Sequence, residues 1–278
     1  MNYVAPWWLP GGNLQTIWPA LYARRSRGPR PEYRRERWIT PDQDFVDVDW
    51  LINGAPTLVT SCPALPPEGA SIALGRHYAD RDMAPTLVTS CPALPAEGPL
   101  LVLFHGLEGS SRSHYAEAFA DFARERGLAF AVPHFRGCSG ELNHGPRAYH
   151  SGDHEEIGWI LGRLRRAHAG PILAVGVSLG GNALLRWAAE AGASASQSAD
   201  AVAAVCSPID LAAGGWAIGR GFNRLVYTTM FMRSMRPTAL AKLHHHPGLF
   251  DRARRRAARD LRDFDDLFTA PLHGFKDA

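Results

Sequence analysis

The chain has 278 residues, 46% of them hydrophobic, with 30 Lys+Arg against 27 Asp+Glu and a formal net charge of +3. That length and apolar content support one large core and exclude disorder as the general state. The near balance of charge excludes a polyelectrolyte partner, so no nucleic-acid binding is expected; the arginines near 24–30 and 252–256 are interleaved with Pro or Asp and read as solvated surface.

From the N-terminus, Met1 to Asn13 carries Pro6, Pro10, Gly11 and Gly12 inside its apolar stretch, and no run of about 18 apolar residues occurs anywhere, so neither a leader nor a membrane span is expected. Cysteines 62, 91, 138 and 206 form no CxxC pair; with no leader, reduced and buried thiols in a cytoplasmic protein are the expectation. Residues 1–32, rich in Trp, Pro and Arg, read as an extended arm whose Trp7, Trp8 and Trp18 must bury against something, the core or else a membrane surface, by peripheral contact, or an acyl chain.

Tyr33 to Ile39 and Phe45 to Leu51 read as an antiparallel hairpin across the Pro- and Asp-bearing turn 40–44, with Phe45, Asp47 and Asp49 alternating with Val46, Val48 and Trp50. Next, APTLVTSCPALP occurs at 55–66 and again at 84–95; two copies cannot stack a continuous solenoid core, so a duplicated surface segment at 52–98 is expected.

From residue 99 short apolar runs alternate with helical stretches. Leu100 to Phe104, Ala129 to Pro133, Ile172 to Val177 and Ala201 to Cys206 read as buried strands, and helices are expected from His114 to Arg126, Asp153 to His168 and Gly181 to Ala191. This is the pattern of parallel βαβ units, an α/β fold. Residues 211 to 268 show helical windows broken at Gly214-Gly215, Gly219, Gly221, Pro237 and Pro247, expected to form a helical cap over the C-terminal edge of the sheet.

The chemistry-bearing signal is Gly176-Val177-Ser178-Leu179-Gly180, a G-x-S-x-G string between an apolar strand and a helix. A serine on so tight a turn needs Gly176 and Gly180 to avoid clashes, and the helix start beside it favours a developing oxyanion. The run Leu101 to Phe104 ends in His105-Gly106-Leu107-Glu108-Gly109, where a second oxyanion donor is expected. The N–H groups of Leu107 and Leu179 are therefore assigned to that hole, and His105 to a structural role.

YVAPWWLPGGNLQTIWP at 3–19, HGLEGSS at 105–111, FRGCSGELN at 135–143 and GVSLGGN at 176–182 occur together, and the chain resembles the YheT-like branch of the α/β-hydrolases over nearly its whole length apart from the duplication. The resemblance implies a serine carboxylesterase or acylglycerol lipase with Ser178 as nucleophile, an ester or acyl-lipid substrate and no cofactor. It further implies that the motif matching FTAPLHGFKDA at 268–278 precedes two strands carrying the acid and then the histidine, so six strands are counted where eight are expected.

Within the chain, Asp210 is a candidate acid or a turn cap, and His273 a candidate base by chain order alone. His244, His245 and His246, and His150 with His154, lack an HExxH-type set, so no metal is expected. Two alternatives stay open: a non-enzymatic remnant lacking acid and base, and an acyltransferase or thioesterase on the same fold.

Overall fold

A computed structural model describes residues 4–22, 28–52, 98–249 and 258–276. The duplicated dodecapeptides, Cys62, Cys91 and the arginines at 252–256 lie outside the described residues.

Six strands form one sheet: β1 (Tyr33–Ile39), β2 (Phe45–Leu51), β3 (Leu100–Phe104), β4 (Ala129–Pro133), β5 (Ile172–Val177) and β6 (Ala201–Val205), in the spatial order β1-β2-β4-β3-β5-β6. The hairpin β1–β2 and its junction with β4 are antiparallel, while β4, β3, β5 and β6 run parallel. β3, β4 and β5 are nearly continuous apolar runs because both faces are covered, whereas β6, the outer strand, is exposed along its length. Leu100, Val102 and Phe104 pack with Ile157, Ile160, Leu161 and Leu164 of α3 (His154–Ala167) and with Ala183, Leu184 and Trp187 of α4 (Leu179–Ala191). The intervening Leu101 and Leu103 face Ala116, Ala120 and Ala123 of α2 (His114–Arg126). α2 stops at Gly127, whose φ of 64° lets its N–H cap the carbonyls of Ala123 and Arg124.

The strands agree with the sequence reading except that β6 ends one residue early and, expected to be buried, is exposed along its length. Cys206 takes a φ of 46° and leaves the ladder, and because β6 is the outer strand its thiol is exposed rather than buried. The Cys138 thiol is half-buried, and burial pushes its pKa up. α4 starts two residues before the expected Gly181, directly after Ser178.

The N-terminal arm is a correction. It is helical, with Gly11–Tyr22 (here α1) continuing through Pro19, and Leu14, Ile17, Trp18 and Leu21 recur at helical spacing within a Gly- and Pro-rich string that conceals the period. Its tryptophans are not buried: Trp7 is 91% exposed, and Trp8 and Trp18 are exposed as well. Trp18 contacts Trp8 at 5.2 Å and Tyr22 at 4.5 Å between ring centroids, so the aromatics shelter one another, and Leu9 is the arm's buried anchor.

The cap is helical as expected and runs five residues further, to His273. α5 (Leu211–Ile218) leads to α6 (Gly221–Asn223), which passes through a π-helical turn, Arg224–Thr228, into α7 (Thr229–His245). α8 (Leu261–Phe264) passes similarly into α9 (Ala270–His273). Met232, Met235, Ala239, Phe264 and Phe268 form the cap's own core, against which Leu107 packs.

Register turns the aspartates of β2 into structural groups. Arg37 sits opposite Asp47 and Arg35 opposite Asp49. Each guanidinium forks onto its carboxylate, at 2.8 and 2.9 Å for Asp47 and 2.7 and 2.9 Å for Asp49. Buried Asp49 also accepts from Ser111 Oγ at 2.6 Å and meets His134 Nε2 at 2.8 Å, joining the hairpin to the loops after β3 and β4. Burial pushes the Asp49 carboxyl up, but the bonds from Arg35, His134 and Ser111 outweigh it and hold its pKa well below the usual range.

Replacing Asp49 by Ala strands Ser111 and His134 in the interior and is expected to cost about 3 kcal/mol in urea unfolding at pH 7, less than a fully buried pair because Arg35 reaches solvent. With the folded carboxyl below the unfolded value of about 3.9, Asp49 contributes its stability above that pH and loses it as pH falls through the lower folded value. Asp49→Ala should therefore flatten the acid limb of the stability profile.

Candidate active site

The end of β5 meets the start of α4 at Ser178, whose φ of 52° and ψ of −117° are sparsely populated for a residue with a side chain. The turn is possible because the flanking backbones touch. A Cβ on Gly176 would lie 2.5 Å from the carbonyl oxygen of Gly180, and one on Gly180 would lie 2.4 Å from that of His105. Gly181 is equally constrained, since its Cβ would overlap Ser207 Oγ; the motif did not single it out, although it is the next residue in the string. The Ser178 N–H donates to Val205 O at 2.8 Å, and the Ser178 carbonyl accepts from the Asn182 N–H at 3.1 Å, so strand and helix hold the turn from both sides.

The loop after β3 approaches this turn closely enough that a Cβ on Gly106 would lie 3.3 Å from Ser178 Cβ. Most of its amides are engaged. Gly106 N–H donates to Tyr115 Oη at 2.9 Å, Glu108 N–H to Tyr149 Oη at 2.9 Å, Gly109 N–H to Gly106 O at 2.9 Å and Ser110 N–H to Ser113 Oγ at 3.0 Å. Among the described residues the Leu107 N–H, between them, has no partner, and neither has that of Leu179 in the first turn of α4. Tyr149 also donates to Glu108 Oε1 at 3.0 Å, and Glu108 takes a φ of 55°. Tyr115 and Tyr149 thus position the loop, a role with no short-range signal because their partners lie 9 and 41 residues away.

His105 lies fully buried beneath. Its Nδ1–H donates to Gly106 O at 2.8 Å and its Nε2 accepts the Phe135 N–H at 3.0 Å, which fixes the neutral tautomer; burial, with His134 nearby, pushes its pKa down to about 3. Both nitrogens are occupied, so His105 ties the loops after β3 and β4 together.

Ser178, Leu107 and Leu179 share the wall of a cavity of about 920 Å³, roofed by the cap through Leu211, Trp216, Phe231, Met235 and Phe268. Its flank, the segment 142–151, is held by buried polar contacts. Asp44 accepts from Asn143 Nδ2 at 2.5 Å, from the N–H groups of His144 and Gly145, and from Arg136, which also reaches Glu156 at 2.5 Å. From the cap side, buried Lys242 of α7 donates to the carbonyls of Asn143, Gly145 and Arg147, and burial lowers its pKa to about 8.

The candidate acid and base are placed elsewhere. Asp210 caps α5, accepting from the Ala213 N–H at 2.8 Å. His273 packs on His150 with ring centroids 4.3 Å apart, and burial together with His150 pushes its pKa down to about 4. Among the described residues no histidine or carboxylate hydrogen-bonds to Ser178 Oγ. His150 and His154 both turn back on Gly152, and no group of three or more His, Cys, Asp or Glu among the described residues is arranged to hold a metal ion.

A family profile described as alpha/beta hydrolase fold matches residues 99–261. The Escherichia coli (strain K12) protein named "Putative esterase YheT" is 36% identical over 270 residues, covering 96% of this chain and 66% of that protein. The mouse protein named "Phospholipase ABHD3" is 23% identical over 281 residues, covering 94% of this chain and 58% of its own length. A budding-yeast protein named "Monoacylglycerol lipase" is 26% identical over 189 residues, covering 65% of this chain and 41% of that protein. The chain thus spans less than two thirds of the length of each of these relatives.

The tightness of the turn has a measurable consequence. Gly180→Ala forces a Cβ against the carbonyls of His105 and Phe104, neither a flexible group, and is expected to cost about 1–3 kcal/mol in chemical denaturation. An alanine at exposed Gly12, which meets nothing within 4 Å, should cost less than 0.5 kcal/mol.

Proposed function

Because the chain belongs to the α/β-hydrolases, as a YheT-like member of that family, we propose that it cleaves carboxylic esters through an acyl-enzyme on Ser178. The observation that carries this reading is the strained turn that presents Ser178 to the cavity beside two amides with no other partner, those of Leu107 and Leu179. Ser178 Oγ attacks the ester carbonyl, its proton passes by way of a general base to the departing alkoxide, and water then releases the acid. Negative charge on the carbonyl oxygen is met by the two N–H groups and by the N-terminus of α4, each such donor worth about 2.7–4 kcal/mol to the transition state. The cavity walls contributed by Leu107, Leu211, Trp216, Phe231, Met235 and Phe268 suit an acyl chain, and the names borne by the mouse and yeast relatives agree with an acyl-lipid ester. No cofactor or metal enters this chemistry.

One observation favours a second reading. No described histidine touches Ser178 Oγ, and a serine without a base is a poor nucleophile, so a non-catalytic acyl-binding protein is the competing proposal. An acyltransferase or thioesterase would use the same residues, and the two are separated by acceptor profiling.

A fluorophosphonate probe decides between the first two. Covalent labelling of the protein that falls at least a hundredfold in Ser178→Ala, with the circular dichroism spectrum unchanged, is the expected result. Labelling that survives the substitution overturns the assignment of Ser178, and no labelling of either form favours the non-catalytic reading.

A further inference from the structure

Two stretches of the chain contain no acidic residue. None precedes Glu32, and none lies between Asp210 and Asp251, although about one residue in ten is Asp or Glu overall. The first stretch holds α1; the second holds α5, α6 and α7. They adjoin in the fold, where Tyr227 Oη donates to Asn13 Oδ1 at 2.9 Å.

Both stretches expose large apolar side chains. Trp7, Leu21 and Tyr22 stand out on the arm, and Trp216, Phe222 and Leu225 on the cap. Large exposed apolar patches on a soluble fold mark interaction sites. The only charges on the two segments are positive. Arg236 and Lys242 are spent on backbone carbonyls of the protein itself, whereas Arg30, Arg220, Arg224 and Arg233 are exposed; Arg220 lies over Trp216 at 4.1 Å from its ring centroid.

We infer that the arm and the first cap helices form a docking face for an anionic lipid surface, on which the tryptophans and leucines enter the headgroup region and the arginines pair with lipid phosphates. Trp and Tyr favour that interface because one part of each ring is apolar and another polar, and basic residues add attraction to a negatively charged leaflet. A second copy of the chain fits less well, since α1, α5, α6 and α7 carry no acid to answer the arginines, and Asp260 at the start of α8 only borders the face beside Gly219. A nucleic acid would use the cations and leave the leucines and methionines uncovered. Leu211, Trp216 and Arg220 belong both to this face and to the cavity wall, so the face borders the entrance to the cavity. The inference does not depend on Ser178 being a nucleophile.

Flotation of the protein with vesicles of phosphatidylcholine containing 30% phosphatidylglycerol, against vesicles of phosphatidylcholine alone, tests it. Binding to the anionic vesicles is expected to weaken at least tenfold on pure phosphatidylcholine and in the double variant Arg224→Glu/Arg233→Glu, at roughly fivefold per arginine. It should also fall in Trp7→Ala/Leu225→Ser. None of these four residues lines the cavity, so fluorophosphonate labelling of the variants reads the Ser178 assignment separately, and their circular dichroism reports folding. Equal binding to both vesicle types, binding unmoved by both double variants, self-association in place of vesicle binding, or retention on DNA without flotation would each overturn the proposal.

Discussion

The architecture around the candidate site rests on the approach of three backbones with no side chain between them. The end of β5, the first turn of α4 and the end of β3 come within contact distance because Gly176, Gly180 and Gly181 present only hydrogen to one another, to His105 and to Ser207. Ser178, between these glycines in the chain, takes an unusual backbone conformation that costs about 1–3 kcal/mol. The bond from Ser178 N–H to Val205 O, the start of α4 and the bond from Asn182 Nδ2 to Pro208 O at 2.8 Å offset that strain. A chain relaxed at this point would withdraw the hydroxyl from the cavity wall that Ser178 shares with Leu107 and Leu179.

Around the crossing lies a second constraint, polar rather than steric. The loops that form the cavity wall leave a sheet whose interior is apolar, yet they are anchored by buried charges. Asp49 gathers Arg35, His134 and Ser111; Asp44 gathers Arg136, Asn143 and two backbone amides; Lys242 reaches three carbonyls from the cap. Buried charges of this kind add little net stability against an apolar replacement, but a partly broken set is costly, so they restrict the loops to one arrangement. His105 does the same without charge, through both ring nitrogens.

What was legible in the sequence follows from these two constraints. Leu100–Phe104 and Ala129–Pro133 read as buried strands because a strand covered on both faces is an unbroken apolar run, and the Ser178 turn read clearly because its steric requirement is written in adjacent glycines. The charge network was not legible: the pairing of Arg35 with Asp49 depends on hairpin register, and that of Tyr149 with Glu108 on a contact 41 residues apart. In the sequence, Pro10, Gly11, Gly12 and Pro19 make the arm read as extended. They sit instead at the start of a helix and at a position where Pro is accommodated, and the tryptophans stack on their own neighbours rather than enter a core. Exposure of Cys206 is not readable from the sequence, because an apolar run gives no sign of whether its strand lies at the centre or the edge of a sheet.

The cap links the chemistry of the cavity to the surface of the protein. α5 is pinned at its start by Asp210, which is therefore occupied as a cap rather than free to act as an acid. From that fixed start the helix sends Leu211 and Trp216 to a position that is at once cavity wall and exposed surface. On the proposed reading, two amides facing a developing oxyanion beneath an apolar roof are worth more than they would be in water. Along α5, α6 and α7 the outer surface of the cap carries apolar side chains and arginines without an acid, so these helices present a largely apolar surface both to solvent and to the cavity below them.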